Sequence, residues 1–565
     1  MAEKVLPVAS AHINTDAKQV ETRVVTGDEA FNEALLKEPP TPWSRGQLMI
    51  YLFSLVAFFN STVNGYDGSL INNLLQNPSF IAKYNGSNSG IWAGIVSSMY
   101  QIGNIVALPF LGPVCDHFGR RAGMASGSAI IIIGAFNAGA RRLRYASITN
   151  EEPGTIIQGT SNAAGQFMGG RFLLGFGVSL VATGGPMYVV EINHPAYRGV
   201  VGAMYNTLWF SGSILSSGAA RGAANVGGDY SWRLITWLQI LFPSLVLIFS
   251  FLLPESPRWL YVHNRKEKAK AILVKYHGNG NDSSPWVSLQ LREYEECLNM
   301  DGADKRWWDY RVLFRRGNFY RLSCNLIVSA FGQLAGNAVL SYFLGSVLDS
   351  AGYTSYLAQA NITLINNCVQ FLCAICGALL VDRIGRRPLL LFAFTSCTVV
   401  WLGMTIAASQ FAASYAGETA SGVYVYTNGA ASKAALAMIF LFGAAFSIGI
   451  TPLQGLYIVE VLSFEMRAKG MAMSNLAVNL AGLLNQYAWS VSMKNIGWKT
   501  YIIFTVWDAI SVIIIYFTLP ETKGRTLEEL DQIFAAKNPV KASLSKKEIL
   551  VSRDGDVVDV KEASP

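Results

Sequence analysis

The chain has 565 residues, is 51% apolar and carries only 14% charged side chains, where a soluble domain carries about 25%; its mean hydropathy is +0.31. That balance excludes an ordinary soluble globular protein and describes a chain that crosses a bilayer repeatedly. The formal charge of +7 gives no case for a nucleic-acid partner, and seven cysteines, odd in number and mostly inside apolar runs, give no disulfide framework.

Residues 1–46 are polar and mixed in charge, with no apolar core near Met1, so no cleaved signal peptide is expected. They read as a disordered cytoplasmic tail, with the first helix serving as targeting signal. The run 47–75 is long enough to cross, which takes roughly 20 apolar residues. Near its outer end it carries Asp67 between Tyr66 and Gly68. A charge inside a membrane helix costs about 2.5–3.5 kcal/mol on insertion scales. Asp67 is therefore either solvated at a helix end or titrating inside a translocation path.

A short loop follows with the sequon Asn85-Gly86-Ser87, a glycosylation acceptor if that loop is external. Apolar runs at 91–114, 122–140, 166–190, 200–220 and 234–253 complete a first set of six. Between the third and fourth lie Arg141, Arg142 and Arg144, then Asn150 to Gly154. Helix counting puts this stretch outside, against the positive-inside bias. It is either a genuine external loop or an inserted segment at 141–158. Residues 254–321 are soluble in character and rich in Lys and Arg, which assigns them to the cytoplasm; short helices on the membrane face are expected there.

Six more runs follow at 322–348, 357–381, 388–408, 434–459, 470–493 and 500–519, then a polar tail at 520–565. The expected fold is an all-α polytopic membrane protein of twelve transmembrane helices. Two six-helix bundles, 47–253 and 322–519, flank the linker, and both ends are cytoplasmic. Cys373 and Cys376 form a CxxC with no second pair or nearby His, and read as small packing residues. The five histidines all lie outside the apolar runs. No metal-ligand cluster, phosphate-binding glycine loop or nucleophile–base pair is found, so neither an enzyme nor a cofactor is expected.

Three motifs occur twice in the same order. The turn at Asp116, Arg120 and Arg121 returns at Asp382, Arg383, Arg386 and Arg387. Glu191 with Arg198 returns as Glu460 with Arg467, and Pro254-Glu255-Ser256 as Pro520-Glu521-Thr522. Their order implies two homologous halves, and a parallel repeat of this kind puts a substrate site between them near mid-membrane. The carboxylates and arginines suit an inner gate of salt bridges, and also suit simple anchoring of helix ends.

With those motifs, Gly170-Arg171, Pro186-Met-Tyr188-Val-Val-Glu191, PESPR at 254–258 and PETKG at 520–524, the chain resembles the sugar porter family of the major facilitator superfamily over about residues 45–535. Asn64-Gly65-Tyr66-Asp67-Gly68-Ser69-Leu70 and Pro452-Leu-Gln454-Gly-Leu-Tyr457 are similar to the fungal lactose, cellodextrin and hexose branch. The resemblance implies a major facilitator fold in a fungal plasma membrane, a monomer in the lipid bilayer, and sugar and protons as partners. It also implies a coupling pair of Asp67 and Arg171. For sugar contacts it implies Asn206, Gln333, Asn337, Tyr342, Gln370, Asn485 and Gln486, whose amides suit vicinal hydroxyls. The seventh helix departs from the family pattern QQLSGxN: it reads Gly332-Gln333-Leu334-Ala335-Gly336-Asn337. Gly455 stands where hexose and pentose porters commonly place a Trp over the sugar, which predicts room for a disaccharide such as lactose or cellobiose. Proton symport of a sugar is the leading expectation. A facilitator of the same fold, or a non-transporting sugar sensor, are the alternatives.

Overall fold

Ser44 opens the first crossing by accepting a hydrogen bond from the Gln47 amide at 3.2 Å, one of the amides a helix start leaves without a partner. Helix α1 (Arg45–Gln76) then runs 32 residues, longer than the roughly 20 a bilayer requires. Asn77 ends it and caps the short α2 (Pro78–Lys83), accepting from Ser79. The computed structural model describes residues 34, 37–136, 164–226, 228–301, 310–418, 424–463, 466–523, 525, 527–544, 546–551 and 557–563. The segment at 141–158 lies outside the described residues.

The first half continues through α3 (Ile91–His117), α4 (Arg120–Phe136), α5 (Ala164–Ile192), α6 (Arg198–Thr207), α7 (Trp209–Ala223), α8 (Tyr230–Leu238) and α9 (Leu241–Ser250). The linker holds α10 (Pro257–Val262), α11 (Lys266–Tyr276) and α12 (Pro285–Asp301). The second half holds α13 (Arg316–Leu334), α14 (Asn337–Tyr342), α15 (Leu344–Ser350), α16 (Tyr356–Ile384), α17 (Arg386–Ala413), α18 (Gly429–Val461), α19 (Arg467–Ile496) and α20 (Thr500–Thr518). Helices α21 (Leu527–Ala535) and α22 (Pro539–Leu544) begin the tail. Beside the helices stand two small antiparallel ribbons: β1 (Tyr415–Glu418) with β2 (Tyr424–Tyr426), and β3 (Lys546–Val551) with β4 (Val557–Ala563). Both lie outside the apolar runs.

Eight stretches among the described residues are long and apolar enough to cross, one of them, Lys469–Thr518, holding both α19 and α20. The remaining crossings are α4 and two broken ones. The fifth crossing divides at Leu208 into α6 and α7. The seventh divides at Gly336, in the left-handed conformation with φ 94°, and again at Phe343. An apolar run does not report such breaks, because hydropathy averages over the joint.

Within the halves, helices touch at glycines, as small residues allow in lipid. A Cβ on Gly65 of α1 would run into the Trp209 carbonyl, and one on Gly212 of α7 into the Thr62 carbonyl, so each helix recesses for the other. Gly103 of α3 and Gly175 of α5 meet the Phe172 and Tyr100 carbonyls in the same way. Between the halves, α3 packs on α19 and α7 on α16.

The described part of the N-terminal tail is docked, in contrast to the disordered tail expected. The Trp286 indole donates to the Glu38 carbonyl at 2.8 Å, Ser284 Oγ donates to its carboxylate at 2.6 Å, and Tyr197 donates to the Pro40 carbonyl at 2.9 Å. His194 packs edge-on against Trp286 with ring centres 4.6 Å apart. His277 Nε2 lies 3.0 Å from the Ile192 carbonyl; a carbonyl only accepts, so this nitrogen carries the proton. Gln290 then donates to Nδ1 at 2.7 Å, and the ring is neutral. Burial holds His194 down to about 3 and His277 to about 4.

Candidate functional site

The recessed contacts of α1, α3, α5 and α7 bring Asp67, Tyr100 and Arg171 together, with Gln239 from the α8–α9 joint beside them. Asp67 and Arg171 are both wholly buried. Arg171 Nη1 donates to the Asp67 backbone carbonyl at 3.3 Å, and its guanidinium lies over the Tyr100 ring, 5.1 Å from the centroid. Neither carboxylate oxygen of Asp67 makes a hydrogen bond among the described residues, nor do Nε and Nη2 of Arg171. The acid and the base are neighbours without a closed ion pair. A buried charge left in that condition is costly, and the cost is a common mark of intramembrane function. Tyr342 reaches the same guanidinium's field from the other half.

Across from this pair, α13, α14 and α19 carry most of the expected sugar contacts. Asn485 Nδ2 donates to the Gln333 carbonyl at 2.6 Å, and its Oδ1 accepts from Trp489 Nε1 at 2.6 Å. Asn337 follows the left-handed Gly336 and keeps a buried Oδ1 without a partner. Gln486 is wholly buried with neither amide atom bonded. Two expected contacts sit in helix packing instead. Asn206 Nδ2 donates to the Thr451 carbonyl at 2.8 Å across the halves, and Gln370 packs against Gly443 of α18. Asn366 has a buried, unbonded Oδ1, whereas Asn367 crosses to Ser217 Oγ at 2.8 Å.

Sequence reasoning passed over Gln239, Tyr100 and the side chain of Gln454 at this centre. Gln239 was visible as a lone amide in an apolar run. It also passed over Asp508 of α20, wholly buried beside Cys397 with both oxygens unbonded.

The repeated motifs gather at the face that carries the chain ends. In the first half Arg120 grips Glu191 with Nε at 2.9 Å and Nη2 at 3.0 Å, reaches Asp116 at 3.1 Å, and gives its backbone amide to Glu255 at 3.2 Å. In the second, Arg386 grips Glu460 at 2.7 Å and gives its amide to Glu521 at 3.0 Å. Ser256 and Thr522 each donate to the gripped Glu, at 2.5 and 2.6 Å. Tyr188 donates to the Pro254 carbonyl and Tyr457 to that of Pro520, at 2.9 and 2.8 Å. Arg121 and Arg387 each end on carbonyls at the close of the last helix of their half. Gly119 and Gly385, with φ of 100° and 108°, give the turn before each Arg and leave the space that the Glu255 and Glu521 carboxylates fill. Arg198 enters none of the described ion pairs. Arg383 offers its carbonyl to Lys523, and the side chains of Asp382 and Arg467 lie outside the described residues.

Among the described residues these networks run within each half, as a pair of matched brackets. At the opposite face the bonds run between halves: Gly90 N to the Ser490 carbonyl at 3.0 Å, Asn88 to Asp349 at 2.8 Å and Arg221 to Asn361 at 2.6 Å. Asn85 lies on this face, exposed, with φ 49°.

The family model described as sugar (and other) transporter matches residues 53–534. A high-affinity glucose transporter of Kluyveromyces lactis is 29% identical over 516 residues, covering 87% of this chain and 86% of its own. Myo-inositol transporter 2 of Cryptococcus neoformans is 29% identical over 520 residues, with 90% and 86% covered. Among solved structures, the proton:xylose symporter XylE bound to 6-bromo-6-deoxy-D-glucose is 22% identical with a TM-score of 0.67, covering 86% of this chain and 99% of that one. XylE from E. coli in a partially occluded inward open conformation gives the same TM-score at 21% identity, a likeness of fold. The chain therefore belongs to the sugar porter family of the major facilitator superfamily and is a twelve-helix membrane sugar transporter, not an enzyme.

Proposed function

We propose that the chain moves a hexose or a larger sugar across a fungal plasma membrane in symport with a proton, its two halves rocking about the central amides with both chain ends in the cytoplasm. The carrying observation is the buried Asp67 carboxylate, unbonded beside Arg171. A proton taken by Asp67 removes the one negative charge facing that guanidinium, which changes what Arg171 holds and so biases one arrangement of the halves. The bonds between halves on the face away from the chain ends support a path that opens toward the cytoplasm in this state.

Concentrative uptake in cells tests the coupling. An ionophore that collapses the proton gradient should stop accumulation, and Asp67→Asn should abolish it while sugar exchange persists. Entry that neither acidifies vesicles nor responds to pH overturns the coupling. The second reading is facilitated diffusion by the same fold. In that case uptake survives the ionophore.

As to the sugar, Gly455 is exposed and has no atom within 4 Å of where a Cβ would stand. That space supports a bulky sugar, and glucose and cellobiose measured side by side test it. Strict glucose selectivity counts against a disaccharide.

A further inference from the structure

We propose that Gln454 of α18 is a specificity-determining sugar contact of the central site, its amide parked in a notch that Gly332 leaves on α13. The inference rests on the sugar-transport reading above and names one hydroxyl-reading group within it.

The notch is defined by Gly332. A Cβ built there would strike Gln454 Nε2, with Cδ 3.0 Å and Cγ 3.2 Å away. Only glycine lets the amide lie against the α13 backbone. Having reached it, Nε2 gains no hydrogen bond: it is buried with no acceptor among the described residues. A buried donor without an acceptor is unfavourable, and the group is retained where a ligand can supply the acceptor. The neighbouring residue, Gln333, has its carbonyl fixed by Asn485 at 2.6 Å, so the notch lies beside the amides of α13 and α19.

A second observation lies on α18 itself. Ser447, Thr451 and Gln454 stand at spacings of four and three, one face of a helix. Ser447 Oγ and Thr451 Oγ1 are also buried without a partner. Buried helical hydroxyls ordinarily turn back to the preceding carbonyl, as Ser329 does to Asn325 and Thr405 to Trp401, each at 2.8 Å. Here two in succession do not, and the amide next in line does not either. The same turn touches both halves, since Asn206 holds the Thr451 carbonyl. A polyol lying along this face finds a hydroxyl, a hydroxyl and an amide in register. When it arrives, the Gln454 amide leaves the notch, Nε2 donating to a sugar oxygen and Oε1 accepting from its hydroxyl.

The test is uptake of glucose and its monodeoxy analogues by the full chain in cells lacking other sugar transporters. Gln454→Leu keeps the volume and removes the amide. It should raise the KM for glucose about tenfold, the size of one hydrogen bond, with the maximal rate little changed. One monodeoxy analogue, lacking the hydroxyl that Gln454 reads, should show the same KM in both proteins. Gln454→Asn, which shortens the reach and stays polar, should reproduce the pattern if the leucine variant fails to reach the membrane. Gly332→Ala fills the notch and should lower the KM by driving the amide toward the sugar. An unchanged KM for every analogue in the Gln454 variants overturns the proposal, and so does an equal rise for all of them, which marks a packing role. Absence of glucose uptake by the unaltered chain would instead refute the transport reading, a distinct result.

Discussion

At the face away from the chain ends, Gly90 and Ser490, Asn88 and Asp349, and Arg221 and Asn361 join one half to the other through one or two hydrogen bonds apiece. At the face with the chain ends, Arg120 with Glu191 and Arg386 with Glu460 hold each half to itself through paired charges with several bonds apiece. Charged networks of several bonds hold each half together at one face, and fewer hydrogen bonds join the halves at the other. A two-state element needs that division: interfaces that exchange cheaply between bodies that do not deform.

The largest effect should come from the brackets. Arg120 and Glu191 have side chains only 12% and 10% exposed. Arg120→Ala leaves a partly buried carboxylate uncompensated and should cost about 3 kcal/mol, read as a fall in the melting temperature of the purified protein. Arg386→Ala should cost a similar amount in the other half. Because the two networks share no partner among the described residues, the double variant should be additive, whereas Arg120→Ala with Glu191→Gln should not. Additivity inside a half would mean that the bracket is not a unit.

Taken one histidine at a time, acid should cost somewhat less. His194 and His277 are held neutral by burial, at about 3 and about 4 against an ordinary 6.5. The unfolded chain takes up protons below pH 6.5 that the folded chain refuses. Stability is therefore full above pH 6.5 and declines as the pH falls toward 4, by about 2 kcal/mol per histidine at pH 5. Melting at pH 7 and pH 5 reads this, and His277→Gln should flatten the slope. A stability that rises on acidification would contradict the neutral tautomer assigned from the Ile192 and Gln290 bonds.

The cross-half contacts should be the cheapest to cut. Asn88→Ala removes one bond to Asp349, worth about 1 kcal/mol, enough to shift the two access states severalfold. Labelling of a cysteine placed beside Gly90 should rise with that change, while the melting temperature barely moves. A large loss of stability would put the far face on the same footing as the brackets. Smallest of all, Asn85→Gln should remove a glycan and leave transport intact, seen as a drop in apparent mass.

Much of the architecture is legible in the sequence. Bilayer-length apolar runs bounded by charged loops fix the crossings, and the repeated turns at Asp116 and Asp382 declare the two halves before any contact is known. The site is only partly legible. Asn206, Gln370 and Asn485 are all amides in apolar helices, and composition treats them alike. The fold spends Asn206 on a carbonyl of the other half and sets Gln370 against Gly443. It ties Asn485 to the Gln333 carbonyl and leaves both amide atoms of Gln486 without a partner among the described residues.

The sequence by itself determined that this chain lives in a bilayer, that it is a doubled six-helix unit, and that Asp67 and Arg171 are the charges to explain. Tertiary structure alone decided which polar groups are bonded and which are kept waiting, and that Gln454 fills the space Gly332 gives up. The physical reason is reach. Hydropathy and motif spacing are local to one helix, whereas satisfying a buried polar group depends on what the neighbouring helix presents at the same depth.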